Sequence, residues 1–308
     1  MIEAIVLGAG AGGGFPQWNS DAQGCRRARA GDTLAPPATQ ASVAVSGDGR
    51  HWFLLNAAPD LRIQIERTPA LHPNGGIRST PIAGVVLTGA EVDTVTGLLS
   101  LRERQAFTIL ATAPVLARLD ANPIFEVLAR DVVPRVAIRP GHAAQLTLID
   151  GAPSGLQVTA FAVPGKVPLY AEGALFEPDS AIEDGETVGL EITDGTRRLL
   201  YIPGCAMVTP SLRSRLDGAD CVFFDATLWQ DDEMIRAGLG AKTGQRMGHM
   251  SVSGPGGVID SFRDLSIRQR ILIHLNNSNP LLLADSEERR IAADAGWTVA
   301  HDGMKVTP

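Results

Sequence analysis

The sequence predicts a layered α/β or α+β sandwich, and three observations carry that prediction. Short apolar runs of strand composition recur along the chain. They come first in succession and later alternate with helix-length segments. No Ser/Gly linker, composition break or internal repeat divides the 308 residues. A single domain over 1–308 is therefore expected, long enough to bury a substantial core.

The strand-like runs are Glu3–Leu7, Ala41–Ser46, Trp52–Leu55, Ile82–Thr88, Phe107–Ala111, Leu156–Ala162, Val188–Ile192, Arg198–Ile202, Cys221–Asp225 and Ile271–Leu275. Helical candidates are Leu61–Arg67, Val95–Glu103, Ala113–Leu119, Ile124–Ala129, Pro210–Leu216 and Ser286–Ala295. The segment from Val163 to Gly189 is a long loop rich in Pro, Gly and acidic residues. A loop of that length is either a lid or binding loop or a disordered surface insertion.

Composition excludes several classes. A net charge of −7 gives no basic surface for nucleic acid or anionic membrane. No apolar run approaches the ~20 residues of a spanning helix, and the start, Met1-Ile-Glu-Ala-Ile-Val-Leu-Gly8, has the pattern of a strand rather than a secretory leader. Cys25, Cys205 and Cys221 are odd in number and far apart, so neither a disulfide framework nor zinc-knuckle spacing is present. A cytoplasmic location is the expectation.

Gly8-Ala-Gly10-Ala-Gly-Gly13 after an apolar strand matches the spacing of a dinucleotide fingerprint. Its context fails. Gly14-Phe-Pro-Gln17-Trp18-Asn19 has no helical period, and no acidic residue closes a second strand about twenty positions on. The glycines are better explained as a loop passing close to backbone or ligand.

Four segments carry candidate chemistry. An apolar strand ends at Thr88 and is followed by Gly89-Ala-Glu91-Val-Asp93-Thr94, just before a helix. There Asp93 is either a site residue or a simple N-cap, and taken alone the cap is the commoner case. Cys221-Val-Phe-Phe-Asp225 ends in a carboxylate that needs a partner if buried. His249 lies in a glycine-flanked turn, and Arg270-Ile-Leu-Ile-His274-Leu-Asn276-Asn277 ends another strand in an imidazole and two amides. Together these carboxylates and imidazoles suit zinc, iron or manganese.

Several motifs are similar to those of the pyrroloquinoline quinone (PQQ) biosynthesis protein B family. They are the segment Gly8–Asn19, Asn56-Ala-Ala-Pro-Asp60, Val92–Glu103, Gly244-Gln-Arg-Met-Gly-His249, His274-Leu-Asn-Asn-Ser-Asn-Pro280 and Gly296–Gly303. The resemblance spans essentially the whole chain. It implies the metallo-β-lactamase fold, a four-layer αβ/βα sandwich with two β-sheets packed face to face and helices outside. At the superfamily's HxHxDH positions this chain has Gly89, Glu91, Asp93 and Thr94, so only the aspartate remains. With six histidines in all (His51, His72, His142, His249, His274, His301), a five-histidine dinuclear centre is not expected. Asp225 matches the metal-bridging aspartate, and His274 the last histidine ligand.

The family usually carries Asp-His where this chain has Asp93-Thr94. It also carries a cysteine cluster, read as structural zinc, where this chain has Ser20, Ala22 and Cys25. One cysteine cannot hold tetrahedral zinc. The ligand set implied is therefore Asp93 and His274, completed by Asp225, His249 or Glu91, for iron or else zinc or manganese. Catalysis would rest on Asp93, His274, Asp225 and His249. PQQ or its precursor would be held by Gly12, Gly13, Gly14, Gln17, Trp18, Asn276 and Asn277.

The function implied is PQQ biosynthesis, by iron-dependent oxidation or hydroxylation of the tyrosine-derived part of a peptide-derived precursor. The alternative is a non-catalytic carrier of PQQ or its precursor, serving transport toward the periplasm. A superfamily hydrolase of esters or phosphodiesters ranks last, because it needs a water activated by several histidines. Expected partners are the precursor, other proteins of the pathway and, for a homodimer, a second copy of the chain.

Overall fold

The computed structural model describes residues 1–166, 168, 170 and 185–308. Among them fourteen strands form two seven-stranded sheets. The first sheet contains β1 (Glu3–Gly8), β2 (Ser42–Ser46), β3 (Trp52–Leu55), β4 (Ile82–Val86), β5 (Thr108–Ala111), β6 (Arg135–Ala137) and β14 (Lys305–Val306). Its order is β14-β1-β2-β3-β4-β5-β6. The second contains β7 (Ala143–Thr147), β8 (Pro153–Ala162), β9 (Val188–Thr193), β10 (Arg198–Ile202), β11 (Cys221–Asp225), β12 (Gln269–Ile273) and β13 (Trp297–Val299). Its order is β13-β12-β11-β10-β9-β8-β7.

Each sheet begins as an antiparallel meander and then turns parallel. β1, β2 and β3 pair antiparallel, and β3 through β6 pair parallel. Likewise β7 to β10 pair antiparallel and β10 to β13 parallel. Parallel neighbours require crossovers. Helices Leu61–Arg67, Ala113–Asp120, Pro210–Leu216 and Glu287–Asp294 lie in four of them. The succession followed by alternation seen in the sequence thus occurs twice, once per sheet.

Side chains alternate across each strand, and this builds the layers. In β1 and β3, Ala4, Val6, Phe53 and Leu55 belong to the core that also takes in the second sheet. Ile5, Leu7, Trp52 and Leu54 face the opposite way, onto Leu61, Val95, Val115 and Leu119 of the outer helices. Two sheets packed together with helices outside make up the α+β sandwich of the metallo-β-lactamase fold.

Three local readings are corrected. The helix expected over Val95–Glu103 is a short α-turn, Val92–Val95, followed by a 3-10 segment, Thr96–Leu101. Gly97 donates its N–H to the Ala57 carbonyl, and a Cβ there would lie 2.1 Å from the Ala58 oxygen, so the turn packs directly on that backbone. Ile124–Ala129 is likewise a 3-10 segment, Pro123–Val127. At the end of the long acidic loop, Val188 and Gly189 already belong to β9. The loop's residues 167, 169 and 171–184 lie outside the described residues. Among the described residues, no helix is long and apolar enough to cross a membrane.

Candidate metal centre

Parallel strands bring their C-terminal ends to one edge, and the loops leaving that edge are where sites of layered α/β proteins form. Three such ends meet here: β4 leads into Leu87–Thr94, β11 ends at Asp225, and β12 leads directly into His274. They open on a cavity of about 780 Å³, floored by Asp93, Thr227, His249 and His274.

His274 is the hub. Its Nε2 lies 3.0 Å from Asp93 Oδ2, and its Nδ1 lies 2.8 Å from Thr227 Oγ1 and 4.0 Å from Asp225 Oδ1. The ring of His249 stacks on it with centroids 5.3 Å apart, and His249 Nδ1 meets Asp225 Oδ2 at 2.7 Å. Asp225, His249 and His274 offer ligand atoms that all lie within 4.8 Å of one another.

Asp225 is wholly buried, and its carboxylate is fully bonded. Oδ1 accepts from the Thr227 amide at 3.0 Å and the Thr227 hydroxyl at 2.7 Å, while Oδ2 accepts from the Cys205 amide at 3.0 Å. With the His249 contact, the cost of burying that charge is met. His274 has a left-handed backbone, φ 64°, a conformation that costs a non-glycine residue about 1–3 kcal/mol. Hydrogen bonds around it hold the strain: Leu275 N–H to the Ala9 carbonyl, Ala11 N–H to the Leu275 carbonyl and Asn276 N–H to the Thr227 carbonyl.

Asp93 is not an N-cap. The cap position is Glu91, which makes no side-chain cap bond, and Asp93 sits in the first turn with its carboxylate on His274. Burial pushes the Asp93 carboxyl up. The hydrogen bond and charge of His274, with the charge of His249, more than offset this and hold it below the usual carboxylate range. For His274, burial favours the neutral ring, but the bond and charge of Asp93 and the charge of Asp225 prevail and raise it. The two act as an ion pair when no metal intervenes.

The other sequence candidates are placed as follows. Glu91 borders the cavity but pairs with Lys166, 3.4 Å from Nζ to Oε1. Thr94 Oγ1 donates to the Glu91 carbonyl at 2.7 Å, so its hydroxyl is used on the turn. Gly12, Gly13, Gln17, Asn276 and Asn277 line the cavity. A Cβ on Gly12 would lie 3.5 Å from Asp93 Oδ2, so the glycine loop passes against the carboxylate. Gly14 and Trp18 do not line the cavity: Gly14 is buried behind it, and Trp18 is 86% exposed. Cys25 is buried, 3.8 Å from Asn277 Oδ1.

Two contributors escape a reading of the sequence. Thr227 bonds three members of the site at once, and its only signal is a hydroxyl two residues after Asp225. Asn56, with φ 65°, makes three hydrogen bonds with Thr88 and lines the cavity from the first sheet.

Fold and site together define a class, and the comparisons agree: residues 51–275 match the Beta-lactamase superfamily domain. Coenzyme PQQ synthesis protein B of Gluconacetobacter diazotrophicus is 67% identical over 307 residues, with 100% of both chains covered. The protein of the same name from Gluconobacter oxydans is 57% identical, covering 99% of this chain and 98% of its own. The crystal structure of Zn(2+)-bound PqqB from Methylobacterium extorquens superposes with a TM-score of 0.95 at 48% identity, over 99% of this chain and 100% of that one. The chain belongs to the coenzyme PQQ synthesis protein B family. A diphosphatase of the PhnP family, at 19% identity and a TM-score of 0.67 over 99% of this chain and 96% of its own, shares the fold.

Proposed function

We propose that this chain acts in the synthesis of PQQ as a metal-dependent oxygenase, hydroxylating the tyrosine-derived part of a peptide-derived precursor. One observation carries the reading: Asp93, His249 and His274, from separate segments of the chain, line a single large cavity, with Asp225 buried behind them against the two imidazoles. Two imidazoles beside two carboxylates are a donor set that zinc, iron and manganese all accept. The zinc-bound relative supports metal binding in this family.

Asp93, His249 and His274 would hold the ion, with Asp225 behind them. A bound iron would supply the redox chemistry that hydroxylation by O₂ requires. The chain's own residues do the rest. Asp225 fixes His249, Asp93 faces the substrate side beside Gly12, and Gln17, Asn276 and Asn277 offer amide groups to polar parts of a ligand.

Protein purified without oxygen and loaded with Fe(II) tests this. Incubation with the precursor, O₂ and a reductant is expected to add one oxygen atom to the precursor, read by mass spectrometry. Failure to bind iron, or turnover unaffected by Asp93→Asn, contradicts it.

One observation favours a second reading, that of a carrier. Thr94 stands where the family's histidine ligand is implied, and its hydroxyl is engaged by backbone carbonyls. Calorimetric titration with PQQ and precursor, with and without metal, separates the two: a carrier binds either way and turns nothing over.

A further inference from the structure

Thr227 Oγ1 sits between three partners, 2.7 Å from Asp225 Oδ1, 2.8 Å from His274 Nδ1 and 3.0 Å from His249 Nδ1. The residue is buried, so these partners replace water. A hydroxyl has one proton to give and two lone pairs to receive with. Asp225, whose oxygens already accept from the Cys205 and Thr227 backbone amides, is the nearest of the three and accepts from the hydroxyl. The hydroxyl proton therefore goes to Asp225. Both imidazoles must then present Nδ1–H to the oxygen, and His249 divides its Nδ1–H between Thr227 and Asp225 Oδ2.

We propose that Thr227 is the positioning residue of this site: it fixes His274 and, together with Asp225, His249 in the Nδ1–H form, so that Nε2 is the nitrogen each ring keeps for a metal. Two consequences follow. The hydroxyl fills the space enclosed by Asp225 and the two Nδ1 atoms, so an ion does not sit there. It sits on the Nε2 side, where His274 already faces Asp93 at 3.0 Å. Asp225 then acts through the histidines and Thr227 as an orienting carboxylate, rather than as the bridging ligand that the superfamily resemblance implies. Such outer partners set ring orientation and ligand basicity. The inference rests on the reading of the site as a metal centre.

The test uses Zn²⁺ alone, by competition with a fluorescent chelator, on the full chain. Thr227→Val keeps the shape and removes the hydroxyl, and is expected to weaken Zn²⁺ binding roughly 10- to 100-fold. Thr227→Ser is expected to stay within about threefold of the parent. Equal affinity for Thr227→Val and the parent overturns the proposal.

Because the valine variant could unfold, ¹⁵N NMR of the unsubstituted protein supplies an independent readout. Protonated, hydrogen-bonded Nδ1 atoms on both His249 and His274 are expected with and without Zn²⁺. A bare Nδ1 on either ring overturns the assignment. If the parent binds no Zn²⁺ while both Nδ1 are protonated, the metal centre fails and the role of Thr227 in fixing the tautomers stands.

Discussion

Asp225 on the second sheet and Asp93 beside the first are both carboxylates facing the same pair of imidazoles, and they are held in opposite ways. Asp225 is fully buried and receives bonds from two backbone amides, a hydroxyl and an imidazole. Asp93 reaches across from a short helical turn, and its one side-chain partner described here is His274. Around Asp225 the supporting polar groups are all present: Thr227, His249, His274 and the Cys205 amide. Around Asp93 the corresponding positions are Gly89, Glu91 and Thr94, of which Glu91 pairs with Lys166 and Thr94 bonds its own turn. The second-sheet side is a rigid frame that orients the imidazoles, and the first-sheet side contributes a single exchangeable ligand.

That contrast breaks most readily at Asp225. Asp225→Ala leaves buried donors without an acceptor and is expected to destabilise the protein by about 3–5 kcal/mol. A denaturation midpoint lowered at unchanged slope measures it, and a loss below 1 kcal/mol would mean that the frame is not structural. Asp93→Ala should do the reverse. Stability is expected to fall by only about 1–2 kcal/mol, the worth of the pair with His274, while Zn²⁺ affinity falls at least ~100-fold, the upper end of the effect for groups one step further from an ion. Chelator competition and thermal unfolding on the same sample compare the two effects.

The bond between the halves sharpens the comparison through pH. In metal-free protein the Asp93 carboxyl is lowered and the His274 imidazole is raised. The first contribution is present above the unfolded carboxyl value and is lost as pH falls through the folded one. The second is complete below the unfolded imidazole value and is lost as pH rises through the folded one. The pair therefore contributes most between about pH 4 and 6.5, the unfolded values of the two groups. A double-mutant cycle of Asp93→Asn and His274→Gln is expected to give a coupling of about 1–2 kcal/mol in that window. The coupling should shrink on the alkaline side, and one that is flat from pH 5 to 9 would contradict the ion pair. Smallest of all, Trp18→Ala is expected to alter stability by less than about 0.5 kcal/mol, because the ring is 86% exposed. The same variant in a PQQ titration tests whether that ring meets the ligand.

The strongly apolar strands were legible in the sequence, and the polar margins of the sheets were not. Trp52–Leu55, Arg198–Ile202 and Cys221–Asp225 coincide with strands because every residue but Arg198 is buried. β6 and β7 were missed because they are short or half-exposed edge strands whose residues carry no alternation. β13 and β14 are only three and two residues long. The helix Gln23–Arg29 escaped because only Cys25 and Ala28 of it are buried.

In the site, Asp93, Asp225 and His274 could be singled out because a polar group at the end of an apolar strand is conspicuous. Thr227 could not, because a threonine two residues past an aspartate looks like an ordinary turn. Its three bonds exist only once β11, β12 and the His249 turn have come together.

The central claim is that an ion lies between Asp93 and the two imidazoles. Anomalous scattering from crystals of the full chain grown with Zn²⁺ tests it most directly. A peak is expected within bonding distance of Asp93 Oδ2 and His274 Nε2, with the Thr227 hydroxyl still on Asp225. A peak enclosed by Asp225 and the two Nδ1 atoms, or none in the cavity at saturating Zn²⁺, would contradict it.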